Sequence, residues 1–170
     1  MANSALAIYP GSFDPITNGH VDLVTRTLRV FDKIIVAIAT NPDKDHSLFS
    51  LQERIDMVNE VFAPLKGRVS ADSFQGLLVD YAERKGSTVV IRGLRAISDF
   101  EYEFQLAGMN RKLMPEADTV FLPTSEKFTY ISSSLVREIA ALGGDISEFV
   151  HPRVKQVLLD RVSRRTTPAR

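Results

Sequence analysis

The stretch Tyr9-Pro10-Gly11-Ser12-Phe13-Asp14-Pro15-Ile16-Thr17-Asn18-Gly19-His20 decides how the rest of this chain can fold. It follows the apolar run Ala5–Ile8, which is typical of a short buried strand. It precedes residues 21–28, whose apolar positions repeat with the spacing of a helix face. The stretch is therefore predicted to be a strand-to-helix turn, and Pro10 and Gly11 are expected to keep regular structure out of it.

The end of this turn has the features of a phosphate site. Thr17 or Asn18 can cap the helix that follows, and Gly19 has no side chain that would block an anion. Free N–H groups at a helix N-terminus attract phosphate, and His20 can donate a hydrogen bond to a phosphate oxygen. The segment thus predicts a nucleotide site of the T-x-G-H type, since the sequence contains neither a P-loop nor a G-x-G-x-x-G motif. The alternative interpretation is a plain loop with a helix-capping histidine.

The composition of the 170 residues narrows the class of protein. The length suits one domain with a sizeable core. Lys and Arg total 21, as do Asp and Glu, and this balance argues against a nucleic-acid partner or a membrane surface. The lack of cysteine excludes disulfides, thiolate catalysis and cysteine-ligated zinc. Neither a signal-peptide pattern nor a run of membrane-spanning length is found, so we expect a cytoplasmic protein.

Strand and helix patterns alternate along the chain. Four further strands are predicted, at residues 33–39, 68–71, 88–91 and 119–122. This order predicts an α/β fold: a single Rossmann-like domain over residues 1–162, built on a five-stranded parallel sheet with helices on both faces. Residues 163–170 are expected to form a mobile basic tail. Because ligands bind beyond the carboxyl ends of parallel strands, the polar loops after strands one, two, four and five are expected to converge.

The converging loops carry cationic and hydroxyl side chains. They contribute His20, Lys44, Arg92, Arg95 and the segment 128–134. No pair of carboxylates stands out as an acid–base dyad, no G-x-S-x-G motif is found, and the three histidines lack metal-ligand spacing. A donor-rich site suits phosphoryl or nucleotidyl transfer, which depends mainly on positioning and on neutralising charge. Taken alone, Lys44 is better explained as a solvated loop lysine, and Arg92 is equally compatible with either role.

Five segments together resemble one known family. They are residues 9–20, Ile91-Arg92-Gly93-Leu94-Arg95, Asp99-Phe100-Glu101-Tyr102-Glu103, Met109-Asn110-Arg111 and Ile131-Ser132-Ser133-Ser134-Leu135-Val136-Arg137. Through them the chain resembles the bacterial phosphopantetheine adenylyltransferases of the nucleotidyltransferase superfamily. The resemblance implies transfer of an adenylyl group from ATP to 4′-phosphopantetheine with Mg²⁺, by direct in-line attack and without a covalent enzyme intermediate. The products are dephospho-coenzyme A and pyrophosphate. It also implies a homohexamer that coenzyme A inhibits.

The resemblance implies roles for individual residues. The catalytic residues that it implies are His20, Lys44, Arg92 and Ser134. The residues that it implies for the phosphorylated acceptor are Ser12, Lys44, Leu78 and Arg92. Those that it implies for ATP are Ser12, Phe13, His20, Gly93, Leu94, Arg95, Glu103, Phe128, Thr129, Tyr130, Ile131, Ser132, Ser133 and Ser134. No metal ligand from the protein is predicted. Whether Phe128 or Tyr130 flanks adenine stays open.

Two other functions compete with this one. The first is a different enzyme of the same superfamily, such as a nicotinate-nucleotide adenylyltransferase or a cytidylyltransferase, and an exchange of substrates would separate the two. The second is a catalytically silent module that only binds a nucleotide. The sequence argues against such a module, because it contains His20, Lys44, Arg92 and Ser134 together.

Overall fold

A sheet of five parallel strands runs through the molecule. The structure, a computed structural model, describes residues 5–40, 46–95 and 97–166. The strands are β1 (Leu6–Gly11), β2 (Lys33–Thr40), β3 (Val69–Gln75), β4 (Val89–Leu94) and β5 (Asp118–Pro123). Their order in the sheet is β3-β2-β1-β4-β5, and neighbouring strands are parallel throughout. The predicted five-stranded parallel sheet is confirmed.

Helices cover both faces of this sheet, as predicted. They are α1 (Asn18–Thr27), α2 (Leu51–Val61), α3 (Leu78–Lys85), α4 (Ile97–Leu113), α5 (Ser133–Ala141) and α6 (Pro152–Thr166). The larger core joins α1, α2, α5 and α6 to one face, and a smaller core joins α3 to the other. Helix α6 reaches Thr166, beyond the Val162 at which the last helix was predicted to end. Among the described residues no helix is long and apolar enough to cross a membrane.

Local signals in the sequence set several helix ends. The side chain of Ser50 accepts a hydrogen bond from the Glu53 amide at 3.3 Å, and the Glu53 carboxylate accepts one from the Ser50 amide at 2.8 Å. This reciprocal pair satisfies two N–H groups that the helix itself leaves without partners, and so α2 begins where the sequence predicts. Helix α3 ends at Gly86, whose φ of 69° is the left-handed conformation that glycine adopts at low cost.

Strand β1 continues further than predicted. The expectation that Pro10 and Gly11 exclude regular structure is wrong, because both belong to the ladder with β2. On its other side, β1 pairs with β4 only as far as Ile8 and Val90. The Pro10 carbonyl instead accepts a hydrogen bond from the Arg92 side chain at 3.1 Å. In a parallel strand the N–H and C=O of one residue point to the same side. The carbonyl of Pro10 points toward β4, so its missing N–H would also point toward β4, where the ladder has already ended. Proline therefore costs no hydrogen bond with β2.

The early end of this ladder separates β1 from β4 and opens a cleft between their carboxyl ends. The cleft lies at the switch point of the sheet, since the chain passes from β1 to β2 on one side while β4 lies on the other. Arg92, Gly93 and Leu94 were predicted to follow the fourth strand, but β4 includes all three. The strand therefore carries the Arg92 side chain directly to the cleft, as a rigid part of the sheet.

Candidate active site

A cavity of about 740 Å³ occupies the cleft between β1 and β4. Its walls are the ends of these two strands, the N-termini of α1 and α5, the first turns of α4 and the segment before α5. The structure brings eleven predicted site residues to this lining: Ser12, His20, Arg92, Gly93, Arg95, Glu103, Phe128, Ile131, Ser132, Ser133 and Ser134. Segments far apart in the sequence thus meet at one place, as the parallel-sheet prediction required.

The other predicted site residues are not among the described residues that line the cavity. Lys44 lies outside the described residues. Leu78 packs beside the core between α3 and the sheet, and it is not among the described residues that line the cavity. The Leu94 carbonyl accepts a hydrogen bond from the Thr124 amide at 2.9 Å, which fixes the start of the segment after β5. Thr129 donates to the Ser125 carbonyl at 3.3 Å within that same segment.

Of the two aromatic candidates for contact with a base, Phe128 faces the cavity. It lies against the first turn of α1, where a Cβ added to Gly19 would be 3.5 Å from the Phe128 Cβ. The Tyr130 side chain is 86% exposed, and it is not part of the described lining. Of the two aromatic residues, Phe128 and not Tyr130 therefore lines the cavity.

His20 is held as a neutral donor by its neighbours. The Thr17 amide donates to the Nδ1 of His20 at 3.0 Å, so the ring proton of the neutral form lies on Nε2. The ring packs against Tyr9 and Phe13, with centroid distances of 6.2 and 5.1 Å. Burial, with a smaller contribution from the charge of Arg95, lowers the pKa of His20 to about 4. At neutral pH this residue offers a hydrogen bond without carrying a charge.

The guanidinium of Arg92 is fixed on two sides. Its Nε donates to Glu103 Oε2 at 2.6 Å, its Nη2 donates to Oε1 of the same carboxylate, and its Nη1 donates to the Pro10 carbonyl. Arginine has five N–H donors, and these contacts use three of them. Among the described residues, two donors are therefore left for a ligand, in a fixed planar geometry that suits phosphate oxygens.

Asp14 joins three segments beneath the cavity. Its side chain is nearly buried, and its carboxylate accepts hydrogen bonds from the amides of Leu48 at 2.8 Å and Phe49 at 3.0 Å. Arg137 Nη1 donates to the same carboxylate at 3.1 Å and also to the Asp14 carbonyl. Another nitrogen of Arg137 lies 3.4 Å from the Ser134 hydroxyl. This network ties the β1–α1 turn to the β2–α2 loop and to the first turn of α5.

The N-terminus of α5 adds a second set of backbone donors to the cavity. Ser132 caps the helix, because its hydroxyl accepts from the Leu135 amide at 3.1 Å. Ser133 donates to the Pro15 carbonyl at 2.8 Å, which holds the helix against the β1–α1 turn. The Asn18 amide of α1 donates to the Phe149 carbonyl at 2.7 Å. The N-termini of α1 and α5 nevertheless border one space, where the helix dipoles favour an anion.

Several lining residues were not predicted as site residues. They include Tyr9, Asp14, Thr17, His46, Asp99, Tyr102 and Arg137. The sequence could have predicted Arg137 as a site residue. It lies one helical turn after Ser133 and Ser134 and so shares their face of α5. The bond between Thr17 and His20 likewise follows from a three-residue spacing across a helix start. Nothing in the sequence showed that Asp14 would meet the β2–α2 loop.

This arrangement of neutral and cationic donors around a cleft in a parallel sheet is that of a nucleotidyltransferase. The sequence model of a family described as cytidylyltransferase-like matches residues 8–139. A phosphopantetheine adenylyltransferase of Hahella chejuensis is 54% identical over 151 residues, which cover 89% of this chain and 92% of the relative. One of Geobacter metallireducens is 54% identical over 159 residues, covering 94% and 96%. The chain belongs to the phosphopantetheine adenylyltransferase family.

A solved structure shows the same fold at low sequence identity. The Plasmodium falciparum nicotinic acid mononucleotide adenylyltransferase complexed with NaAD superposes with a TM-score of 0.63. It is 20% identical, and the match covers 96% of each chain. Because so few residues are shared, this likeness concerns the backbone arrangement and does not identify a substrate.

The state of His20 can be measured directly. We expect the ¹⁵N chemical shifts of His20 to show the neutral ring with its proton on Nε2 at pH 7, and its pKa to be about 4. The ordinary value is 6.5. A titration followed by NMR, with the exposed His151 as an internal comparison, checks both. A pKa of His20 near 6.5, or a proton on Nδ1, would contradict this account of the site.

The same pKa shift predicts how stability depends on pH. As pH falls from 6.5 toward 4, the unfolded chain takes up a proton at His20 while the folded chain does not. The contribution of His20 therefore makes the free energy of unfolding decrease through this window. In His20→Ala this part of the pH dependence is lost, and urea unfolding at several pH values detects the difference.

Asp14→Asn tests the network beneath the cavity. The amide keeps the shape of the side chain but places an NH₂ group or a weaker acceptor against two backbone amides and Arg137. We expect a loss of about 2 kcal/mol in the free energy of unfolding, as for other hydrogen bonds to a buried charge. Asp145→Asn, which removes an exposed ion pair with Lys155, is the matched control and is expected to cost clearly less than Asp14→Asn, because solvent screens an exposed pair. If both variants lost the same free energy of unfolding, measured with urea, the Asp14 network would not stabilise the fold more than a surface ion pair does.

Proposed function

We propose that this chain transfers the adenylyl group of ATP to 4′-phosphopantetheine and releases dephospho-coenzyme A and pyrophosphate. The observation that carries the proposal is the cavity between β1 and β4, where the His20 donor, the Arg92 guanidinium and two helix N-termini surround one space. Such a set binds and neutralises phosphate oxygens and offers little for other chemistry. The names of relatives at more than half identity indicate the pair of substrates.

Within this proposal the two substrates meet at the end of β4. ATP takes the side of the cavity formed by Gly93, Arg95 and Phe128, with the β- and γ-phosphates at the N-terminus of α5 near Ser133 and Ser134. Ser12, Glu103, Ile131 and Ser132 are further ATP-binding candidates in the lining. The candidates Phe13, Leu94, Thr129 and Tyr130 are not among the described residues that line the cavity. Arg92 takes the phosphate of the acceptor, together with Ser12 and Lys44. Leu78 is the candidate for contact with the pantetheine arm.

The proposed reaction is a direct displacement at phosphorus. An oxygen of the acceptor's 4′-phosphate forms a bond to the α-phosphorus of ATP, while the bond from that phosphorus to the bridging oxygen breaks and pyrophosphate leaves. Negative charge on the α-phosphate oxygens is met by the Nε2–H of His20, while the fixed donors of Arg92 hold the attacking phosphate. His20 does not transfer its proton in this step, because a ring with a pKa of about 4 stays neutral at working pH. No side chain forms a covalent bond.

Mg²⁺ fits this site as a companion of the ATP phosphates. The carboxylates that line the cavity are held by arginines: Asp14 by Arg137, Asp99 by Arg95 and Glu103 by Arg92. Among the described residues no group of three or more acidic, His or Cys side chains is placed to hold a metal ion. Bound to the phosphates, Mg²⁺ would withdraw charge from the leaving pyrophosphate. The helix N-termini and Ser134 would then orient the phosphates.

Helix α4 supports the proposed homohexamer. Most of its side chains are exposed, and large apolar ones occur all around it: Phe100, Tyr102, Phe104, Leu106, Met109 and Leu113. An apolar surface of this kind is typical of a protein–protein contact, so we propose that α4 lies between subunits. Coenzyme A contains both halves of the proposed product and would compete for the same cavity, which supports inhibition by coenzyme A. ATP and the acceptor would be supplied in the cytoplasm, where we propose the chain acts.

Pyrophosphate release tests this function. We expect release from ATP and Mg²⁺ only when 4′-phosphopantetheine is added, with dephospho-coenzyme A formed in equal amount. Nicotinate mononucleotide is the matched alternative acceptor, because it also presents a phosphate to a fold of this kind. Turnover with the mononucleotide alone would show that the acceptor is wrong. Binding of ATP without release from either acceptor would favour a silent nucleotide-binding module.

His20→Ala tests the role of the histidine in that reaction. The loss of one preorganised donor at the developing charge is expected to lower kcat by about 10²- to 10³-fold. His151→Ala, which changes an exposed histidine before α6, is the control and is expected to keep the normal rate. A nearly normal kcat in His20→Ala, in a protein with unchanged thermal unfolding, would contradict the proposed role of His20 in the reaction.

A further inference from the structure

Tyr9 is a buried phenol in the wall of the cavity. It lies in β1 one residue before Pro10, and its side chain is only 7% exposed. The ring contacts Phe13 edge-on at a centroid distance of 5.3 Å and His20 at 6.2 Å. Packing on both rings holds the Tyr9 side chain in one position on the face of the sheet that carries α1.

The hydroxyl of Tyr9 lies at the end of β4. It is 4.0 Å from the position that a Cβ on Gly93 would take. Among the described residues none forms a hydrogen bond with this hydroxyl, which is accessible from the cavity that Tyr9 lines. Tyr81 shows the ordinary case, because its hydroxyl donates to Asp72 at 2.9 Å on the opposite face of the sheet. The two tyrosines therefore differ: a protein side chain accepts the hydrogen bond of the Tyr81 hydroxyl, and none of the described residues accepts one from Tyr9.

The surroundings of the Tyr9 hydroxyl suit a donor to an anion. The charges of Arg92 and Arg95 act on it, with Glu103 opposing them, so the local field favours a negatively charged acceptor. Burial raises the pKa of Tyr9 well above its ordinary value, and the two arginines reduce this effect only in part. The phenol thus keeps its proton at any working pH and remains a donor beside His20.

We propose that the Tyr9 hydroxyl donates a hydrogen bond to a phosphate oxygen of a bound substrate, in the space between His20 and Gly93. Tyr9 is then a binding residue of the reaction in addition to those identified by resemblance. This inference rests on the proposed function for the identity of the phosphates. The phosphate belongs either to ATP or to the acceptor, and both would present the same oxygen chemistry to the hydroxyl.

Tyr9→Phe is the direct test, since it removes one oxygen and keeps the ring that packs on Phe13 and His20. We expect either the Kd of ATP, measured by calorimetry, or the KM of the phosphorylated acceptor to rise about tenfold, as for the loss of one hydrogen bond to a charged group. A change in the Kd of ATP assigns the nucleotide phosphate, and a change only in the KM of the acceptor assigns the acceptor phosphate. Tyr81→Phe is the matched control, and it is expected to alter thermal unfolding but neither constant.

The outcomes separate this inference from the proposed function. If Tyr9→Phe leaves both the Kd of ATP and the KM of the acceptor unchanged, the inference is overturned while the function stands. It is also overturned if Tyr81→Phe has an equal effect, because the role of Tyr9 would then be structural. If the unaltered chain binds ATP but adenylylates no acceptor, the proposed function fails, and a weaker Kd of ATP in Tyr9→Phe still supports the hydroxyl contact.

Discussion

The separation of β1 from β4 after Ile8 and Val90 is the constraint on which the site depends. A ladder that continued to the ends of both strands would close the cleft and bury the Arg92 backbone against β1. Pro10 prevents this, because it has no N–H to offer on that side. The Arg92 side chain donates to the Pro10 carbonyl across the cleft. The side chain that would bind substrate therefore also connects β4 to β1 where their ladder has ended.

Charge in the cavity is arranged in pairs, although the chain as a whole is formally neutral. Arg92, Arg95 and Arg137 are each paired with a carboxylate, and the three contacts of Arg92 fix the plane of its guanidinium before a substrate arrives. Pairing offsets part of the cost of taking an arginine out of water, and the arginine still has further N–H donors for an anion. His20 adds a donor with no charge of its own. Donors fixed in this way need little reorganisation as charge develops on phosphorus.

Local chemistry explains which features were predictable. Parallel strands, the capping box at Ser50 and Glu53, and the glycine at the end of α3 follow from nearby residues, and the structure shows them as expected. The extension of β1 through Pro10 was missed, because the rule that proline breaks strands ignores the direction in which its missing N–H would point. Contacts between distant segments were also missed: the meeting of Asp14 with Leu48 and Phe49 joins residues that no periodicity relates. Tyr9 was not predicted as a site residue, since its hydroxyl is informative only once Gly93 lies beside it.

A crystal structure with dephospho-coenzyme A bound would test the central claim most directly, because the product occupies both halves of the proposed site. The account predicts its phosphates in the cleft between β1 and β4, with an α-phosphate oxygen about 3 Å from His20 Nε2 and adenine against Phe128. Product bound outside this cleft, or phosphates that contact neither His20 nor Arg92, would contradict it.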